Sequence, residues 1–369
     1  MEIIISISIL VFLLYTATIF SFAIGWLRIK KFCTKPDFDK PIVSIVIACR
    51  NEEKNITGLL DSLEKQNYSK ANTEIIIVDD HSEDETVKIL QRQSNLSIKL
   101  LHLPNEVAGK KEALRYGINL AQSEIILTTD ADCAMKENWI TSMVSYYVQY
   151  KPKLLVAPVI LSETRNIFQK FQSLEFLSLI SSGAGAIGIG KPIMCNGANL
   201  LFEKSMYQHA LLENNYVSGD DIFLLLQIKK QYPKSIHFIK STDSIVYTKP
   251  AISLQEFFEQ RIRWASKSKA YRDIDIVFVA VIVALVNYIL TFSLLASVFY
   301  KHIFYYYLFF LVIKSVIDLS LLYPFNYFFK RHRLMWLFIP LQIIYPFYIT
   351  YTSIAGLAGR FTWKNRNFR

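Results

Sequence analysis

The feature that most constrains the fold is a set of short apolar runs between residues 42 and 132. Polar or acidic residues close each run, and helix-period segments lie between them. Ile42-Val43-Ser44-Ile45-Val46-Ile47-Ala48 has the near-continuous apolar character of a strand buried on both faces. Cys49-Arg50-Asn51-Glu52-Glu53 turns the chain, and Ile56, Leu59, Leu60 and Leu63 then recur at helical spacing. Glu74-Ile75-Ile76-Ile77-Val78 is a second strand that ends in Asp79-Asp80, and His81-Ser82-Glu83-Asp84 opens the next helix. Ile98–Leu103 is a third strand, and Gly109-Lys110 opens a helix that runs through Ile118 and Leu120. The run from Ile125 to Asp132 completes the series. Such alternation predicts an α/β fold whose mostly parallel central sheet is built by right-handed crossovers. Arg50, Asp79 and Asp132 then share the carboxyl edge of that sheet, where open α/β sheets bind ligands.

Asp130 and Asp132 are spaced i, i+2. Where an extended strand runs out, that spacing points both carboxylates to one side. Two hard oxygen donors there suit Mg²⁺ or Mn²⁺ with positions left open for phosphate oxygens. Alone, the pair is an acidic strand-to-loop junction. Asp79 alone is a turn or capping residue, and Lys110 alone is a solvated surface lysine. Together they describe a nucleotide pocket. A carboxylate accepts the imide N–H of uracil or a ribose hydroxyl, and an ammonium meets diphosphate.

Farther on, Ile167, Phe171, Leu174 and Leu177 mark an amphipathic helix. Gly183-Ala184-Gly185-Ala186-Ile187-Gly188 spells GxGxxG but follows a helical pattern rather than a strand. It is therefore expected to be a flexible loop, not a dinucleotide fingerprint. Cys195-Asn196-Gly197-Ala198-Asn199-Leu200 is expected to precede a helix. Ser218-Gly219-Asp220-Asp221 precedes the apolar run Ile222–Leu226, so its acids either cap a helix or act as a catalytic carboxylate at a helix start. On a helix beginning near Leu254, Gln260, Arg263 and Trp264 fall on one face. An amide, a guanidinium and an indole suit a diphosphate and a sugar ring. The alternative is an interfacial helix snorkelling into lipid head groups.

With 52% hydrophobic residues, the chain is too apolar for an ordinary soluble domain. Ile3–Leu27 is charge-free and long enough to cross a bilayer. Val277–Tyr300, Ile303–Tyr323 and Leu334–Leu357 are further candidate spans. Pro340 and Pro346 leave the last one open to a re-entrant path. Lys314 and Asp318 sit i, i+4 within a span, either as a simple pair or as a functional one. Met1-Glu2 precedes the first stretch and Arg28, Lys30 and Lys31 follow it, which predicts an uncleaved anchor with its amino end outside. The expected division is an anchor at 1–30, a cytosolic domain at 31–275 and a membrane region with a basic tail at 276–369. This makes a multi-pass protein of the cell membrane with its catalytic domain cytoplasmic. The net charge of +10 clusters beside the apolar stretches, as at Lys330, Arg331 and Arg333, which fits anionic lipid rather than nucleic acid. Cys33, Cys49, Cys133 and Cys195 are scattered, without disulfide or zinc spacing.

Several separated motifs occur in one order: Ser44–Glu52, Val78-Asp79-Asp80, Gly109-Lys110, Asp130-Ala131-Asp132, Gly219-Asp220-Asp221 and Gln260-Arg261-Ile262-Arg263-Trp264. In this the chain resembles membrane-bound family-2 glycosyltransferases of the GT-A fold, the branch of cellulose synthase, hyaluronan synthase and ceramide glucosyltransferase. The resemblance covers about residues 42 to 270. It implies that Asp79, Lys110 and Asp130 bind nucleotide and that Asp132, with Asp130, holds Mg²⁺ or Mn²⁺. It also implies that Asp221 is the general base and that Gln260, Arg263 and Trp264 meet diphosphate and acceptor. Asp220 stands where the family commonly has Glu. The implied reaction is inverting transfer of a sugar from a nucleotide sugar, a UDP-sugar, to a lipid or glycan. A metal-dependent nucleotidyl- or phosphotransferase and a silent membrane scaffold are the competing readings.

Overall fold

The computed structural model describes residues 2–34, 37–93, 95–162, 164–209, 220–266, 272–358, 361–363 and 366–368. The chain opens with α1 (Glu2–Arg28), β1 (Val43–Cys49), α2 (Ile56–Glu64), β2 (Thr73–Asp79), α3 (Thr86–Arg92), β3 (Ile98–His102) and α4 (Lys110–Asn119). It continues through β4 (Ile125–Thr128), β5 (Ala134–Met135), α5 (Trp139–Tyr150), β6 (Leu154–Val156), β7 (Val159–Leu161) and α6 (Ile167–Gly188). Next come β8 (Leu200–Glu203), α7 (Lys204–His209), α8 (Asp220–Gln231), β9 (Ile236–Phe238) and β10 (Val246–Thr248). Then follow α9 (Leu254–Ser266), α10 (Ile274–Ser297), α11 (Lys301–Phe328) and α12 (Phe338–Ala358), and last the short strands β11 (Phe361–Trp363) and β12 (Arg366–Phe368).

Two compact units share these elements. One comprises Ile29–Ser162 and Met194–Lys249, and the other Met1–Arg28, Glu163–Ile193 and Pro250–Arg369. The linear division at 30 and 275 thus differs from the spatial one. Helices α6 and α9 cluster with the long apolar helices, because the sheet-bearing chain is interrupted rather than continuous.

The sheet unit is built on a seven-stranded sheet of order β3-β2-β1-β4-β8-β6-β9. Strand β1 pairs parallel with β2 and β4, β2 pairs parallel with β3, and β8 runs antiparallel to β4 and β6. Val43, Ile45, Val46 and Ile47 of β1 are fully buried, as expected of a central strand covered on both faces. The chain winds from β1 out to β3 and then returns to β4 on the other flank of β1. The carboxyl ends of β1 and β4 therefore bound a topological switch point. Cys49 lies opposite Asp79, and Asp79 opposite His102, so the strand ends fall in line.

Two local expectations need correction here. Strand β4 stops at Thr128, and Asp130–Cys133 is a turn closed by the Cys133 N–H donating to the Asp130 carbonyl at 3.1 Å. The acids are therefore displayed by a turn rather than by an extended chain. The Cys195–Asn199 loop leads into β8, not a helix. Asn199 is buried there, with its amide donating to the Pro158 and Ser244 carbonyls and accepting from the Trp139 indole, and these bonds hold the loop to the sheet.

In the helical unit, α1, α10, α11 and the segment His332–Leu357 are long and apolar enough to cross a membrane. The last begins with a 3₁₀ turn over His332–Leu337 and carries Pro346 inside α12. Gly183–Gly188 is not a loop. Helix α6 runs through it because its glycines let α1 approach. A Cβ on Gly185 would stand 2.3 Å from the Phe22 carbonyl oxygen, and one on Gly188 would stand 2.2 Å from that of Gly25. Small residues at a helix crossing permit such backbone contact. Lys314 is paired inside the unit. Its ammonium donates to Asp318 and Gln342 at 2.7 Å each, while the Tyr15 hydroxyl donates to Asp318 at 2.5 Å.

Candidate active site

The candidate site grows from the strand ends at the switch point. At the end of β2, Asp79 and the following Asp80 are both buried. Both oxygens of Asp79 accept from the Ser82 N–H at 3.3 Å, and His102 lies 3.6 Å away. Asp80 faces the neighbouring loops. One oxygen accepts the Gly109 N–H at 3.0 Å, and the other sits 3.1 Å from His81 Nδ1. The Arg50 guanidinium, at the end of β1, donates to the Asp80 carbonyl at 2.9 Å. Gly109 has φ of +109°, a region that favours glycine. That conformation lets the loop bend onto Asp80 and start α4 at Lys110.

Lys110 then reaches across β1 to the turn after β4. Its ammonium donates to Asp130 at 2.5 Å. Asp132 accepts from the Thr248 hydroxyl of β10 at 3.3 Å. Burial pushes the Asp132 carboxyl above the usual carboxylate range, and the charges of Asp130 and Glu52 add to the effect. Three carboxylates thus crowd one sheet edge, and Lys110 offsets part of their charge. Burial, with Asp132 and Asp130 beside it, also raises the Cys133 thiol well above its ordinary value, which keeps it a neutral packing group.

Asp221 lies in the first turn of α8. Its Oδ2 accepts the Gly197 N–H at 3.1 Å, its Oδ1 accepts the Ile222 N–H at 2.9 Å, and the Gly197 carbonyl accepts from the Thr128 hydroxyl at 2.8 Å. Gly197 therefore ties Asp221 to the end of β4. Gly219 lies outside the described residues, as does the side chain of Asp220.

The donor set fits a divalent cation. Among the described residues, no three His, Cys, Asp or Glu side chains already form a closed metal site. An ion would take Asp130 and Asp132 and complete its shell with water and ligand oxygens, the open arrangement usual for Mg²⁺. The crowded charge at Asp132 would be relieved by it.

The structure thus gathers Asp79, Lys110, Asp130, Asp132 and Asp221 within the sheet unit. Gln260, Arg263 and Trp264 lie on α9, in the helical unit. There the Arg261 guanidinium donates to the Gln260 side-chain oxygen and lies 4.3 Å from the Trp264 ring centroid. Sequence reasoning gave no role to Asp80, Glu52 and Gly197, nor to the Glu175 that pairs with Arg261. The doubled acid after β2 was a usable signal for Asp80. Nothing local marks the others, because their partners are distant in sequence.

Residues 44–209 match the family described as Glycosyl transferase family 2. The chain is 28% identical to poly-beta-1,6-N-acetyl-D-glucosamine synthase of Staphylococcus epidermidis over 304 residues, covering 78% of this chain and 69% of that one. It is 28% identical over 114 residues to the Staphylococcus aureus poly(ribitol-phosphate) beta-N-acetylglucosaminyltransferase TarS, covering 31% of this chain but only 20% of that relative's length. It is 32% identical over 139 residues to beta-monoglucosyldiacylglycerol synthase of Trichormus variabilis, covering 37% of this chain and 30% of that one. In fold it is similar to the mannosyltransferase PcManGT from Pyrobaculum calidifontis in complex with GDP-Man and Mn²⁺. The TM-score is 0.55 at 16% identity, over 91% of this chain and 98% of that one. A switch-point cluster of acids on a mostly parallel sheet and a family match over the residues that carry most of it agree: residues 44–209 form a glycosyl transferase family 2 domain, on a GT-A-like fold.

Proposed function

We propose that this protein is a membrane-anchored, inverting family 2 glycosyltransferase that moves a sugar from a UDP-linked donor to a lipid or glycan acceptor. The observation that carries this reading is the linked set at the sheet edge. Lys110 meets Asp130, Asp132 stands beside them, and Asp221 is tied to the same strand end through Gly197. Asp79 would receive the base, in keeping with its place at the end of β2. Lys110 would transfer its ammonium from Asp130 to the diphosphate when donor binds. Asp130 and Asp132 would hold Mg²⁺ or Mn²⁺, which when bound neutralises charge on the leaving diphosphate. Asp221 would take the proton from the acceptor hydroxyl as that oxygen attacks the anomeric carbon. Its two oxygens accept the backbone N–H groups of Gly197 and Ile222, which fix the carboxylate beside the end of β4. Gln260, Arg263 and Trp264 would meet diphosphate and acceptor. No covalent intermediate is needed, and one displacement inverts the anomeric centre.

The apolar helices would anchor the chain in the cell membrane, with residues 31–275 cytosolic, where nucleotide sugars are made. Labelling of a Lys88→Cys variant by an impermeant reagent in intact cells would contradict that orientation. The decisive experiment offers UDP-GlcNAc, UDP-glucose and GDP-mannose to detergent-purified protein with Mn²⁺ and a lipid extract. The panel starts with UDP-GlcNAc because the names of two relatives carry N-acetylglucosamine. The extract is included because a third relative is a synthase of a glucosylated diacylglycerol. Nucleoside diphosphate and a glycosylated product are expected. Pyrophosphate would instead mark a nucleotidyltransferase, and no turnover of any donor would overturn the proposal.

A further inference from the structure

We propose that Arg261, held by Glu175, is a positioning residue that fixes which end of the Gln260 amide meets the ligand. This rests on the reading of Gln260, Arg263 and Trp264 given above. Arg261 and Glu175 are almost wholly buried, with side chains 4% and 1% exposed. Arg261 Nε donates to one Glu175 oxygen at 3.1 Å and a terminal nitrogen donates to the other at 2.5 Å. The Tyr348 hydroxyl donates to Glu175 at 3.0 Å and steadies the carboxylate from α12. The remaining terminal nitrogen of Arg261 donates to the Gln260 side-chain oxygen. The guanidinium carbon also lies 4.6 Å from the Phe257 ring centroid and 4.3 Å from that of Trp264. One buried cation therefore touches two of the three motif side chains.

The polarity follows from chemistry. A guanidinium has N–H donors and no acceptor. Gln260 can meet it only with its carbonyl oxygen, so the amide NH₂ is the end left to a ligand. Gln260 thus presents N–H donors, which select an oxygen acceptor. That oxygen belongs either to the departing diphosphate or to the acceptor hydroxyl. The Glu175 fork prevents Arg261 from rotating away and freeing the amide to turn over. Lysine at 261 would keep the charge opposite Glu175 but could not reach Glu175, Gln260 and the Trp264 face at once.

The test compares Gln260→Ala, Gln260→Glu, Arg261→Lys and the double variant Arg261→Lys/Gln260→Ala, using whichever panel nucleotide sugar the wild type turns over. Gln260→Glu keeps an oxygen for Arg261 but offers no N–H. It is expected to stay folded and to lower kcat/KM by about 10- to 100-fold. Arg261→Lys is expected to fall in the same range, with the double variant no worse than Gln260→Ala alone, the non-additivity of two residues acting as one unit. Calorimetry with UDP and Mn²⁺ then assigns the oxygen. Weakened UDP binding by Gln260→Glu points to diphosphate, and unchanged binding points to the acceptor. Additive losses, or a Gln260→Glu protein at wild-type rate while Gln260→Ala is impaired, would overturn the positioning role and leave the motif reading intact. A fully active Gln260→Ala would overturn both.

Discussion

Asp221→Asn separates a helix-start residue from a catalytic base, and the structure sets both magnitudes. A free N-cap Asp changed to Asn loses at most a few tenths of a kcal/mol, roughly. Asp221 is not free in that sense, since each of its oxygens accepts a backbone N–H, from Gly197 at 3.1 Å and from Ile222 at 2.9 Å. Asparagine keeps one oxygen and turns an NH₂ group toward the other N–H. One hydrogen bond to a charged acceptor is lost, a cost of about 1–3 kcal/mol. For a domain of this size that lowers Tm by roughly 2–12 °C. The Gly197 bridge to Thr128 survives if the oxygen stays on Gly197, so donor binding should be kept. Without a proton acceptor, turnover should fall by about 10²–10⁴-fold. Thermal melts, UDP calorimetry and sugar transfer on one purified sample read all three quantities. A variant that melts within a degree of wild type and transfers at a near wild-type rate refutes the reasoning at both points.

The remaining predictions concern metal, packing, charge burial and pH. Asp132→Asn should abolish divalent-dependent turnover while leaving the fold intact. The substitution also relieves repulsion from Asp130 and Glu52, so the metal-free variant should melt no lower than wild type; wild-type activity in excess EDTA would contradict the metal assignment. Gly185→Val forces α1 and α6 apart and should cost about 1–3 kcal/mol, whereas Gly58→Ala, with nothing within 4 Å of the added carbon, should be stabilising or neutral. Equal melts for the two would count against the glycine-mediated crossing. Glu175→Ala leaves the Arg261 charge buried and unpaired and should cost about 3–5 kcal/mol, seen as a lower detergent-melt midpoint. His237, packed against Tyr146 and Tyr150, has its pKa lowered by burial. Its neutral form is favoured in the fold, so that contribution is present above the ordinary histidine value and is lost as pH falls from there through the lowered one. Melts between pH 5 and 8 should show this slope, and His237→Phe should flatten it.

Much of this protein was legible in its sequence, for a physical reason. Alternating periods of apolar residues are local, and they specify strand, helix and face without knowledge of distant partners. The runs at Ile42, Glu74, Ile98 and Ile125 therefore announced β1 to β4 and the edge where Asp79, Lys110, Asp130 and Asp132 collect. The lengths of Ile3–Leu27 and its counterparts likewise announced the four membrane-length helices found among the described residues. What depended on chain segments far apart was decided only by tertiary structure. Asp130 and Asp132 stand on a turn, because β4 pairs only as far as Thr128. Gly183–Gly188 stays helical because α1 packs against it, and no local pattern records a neighbour about 160 residues away. Glu175 becomes the partner of Arg261, and Gly197 the partner of Asp221, only when the chain closes on itself. The sequence by itself determined which elements form and which chemical groups they carry. The tertiary structure decided which of those groups meet, because hydrogen bonds and close packing depend on distance in space, whereas periodicity depends on distance along the chain.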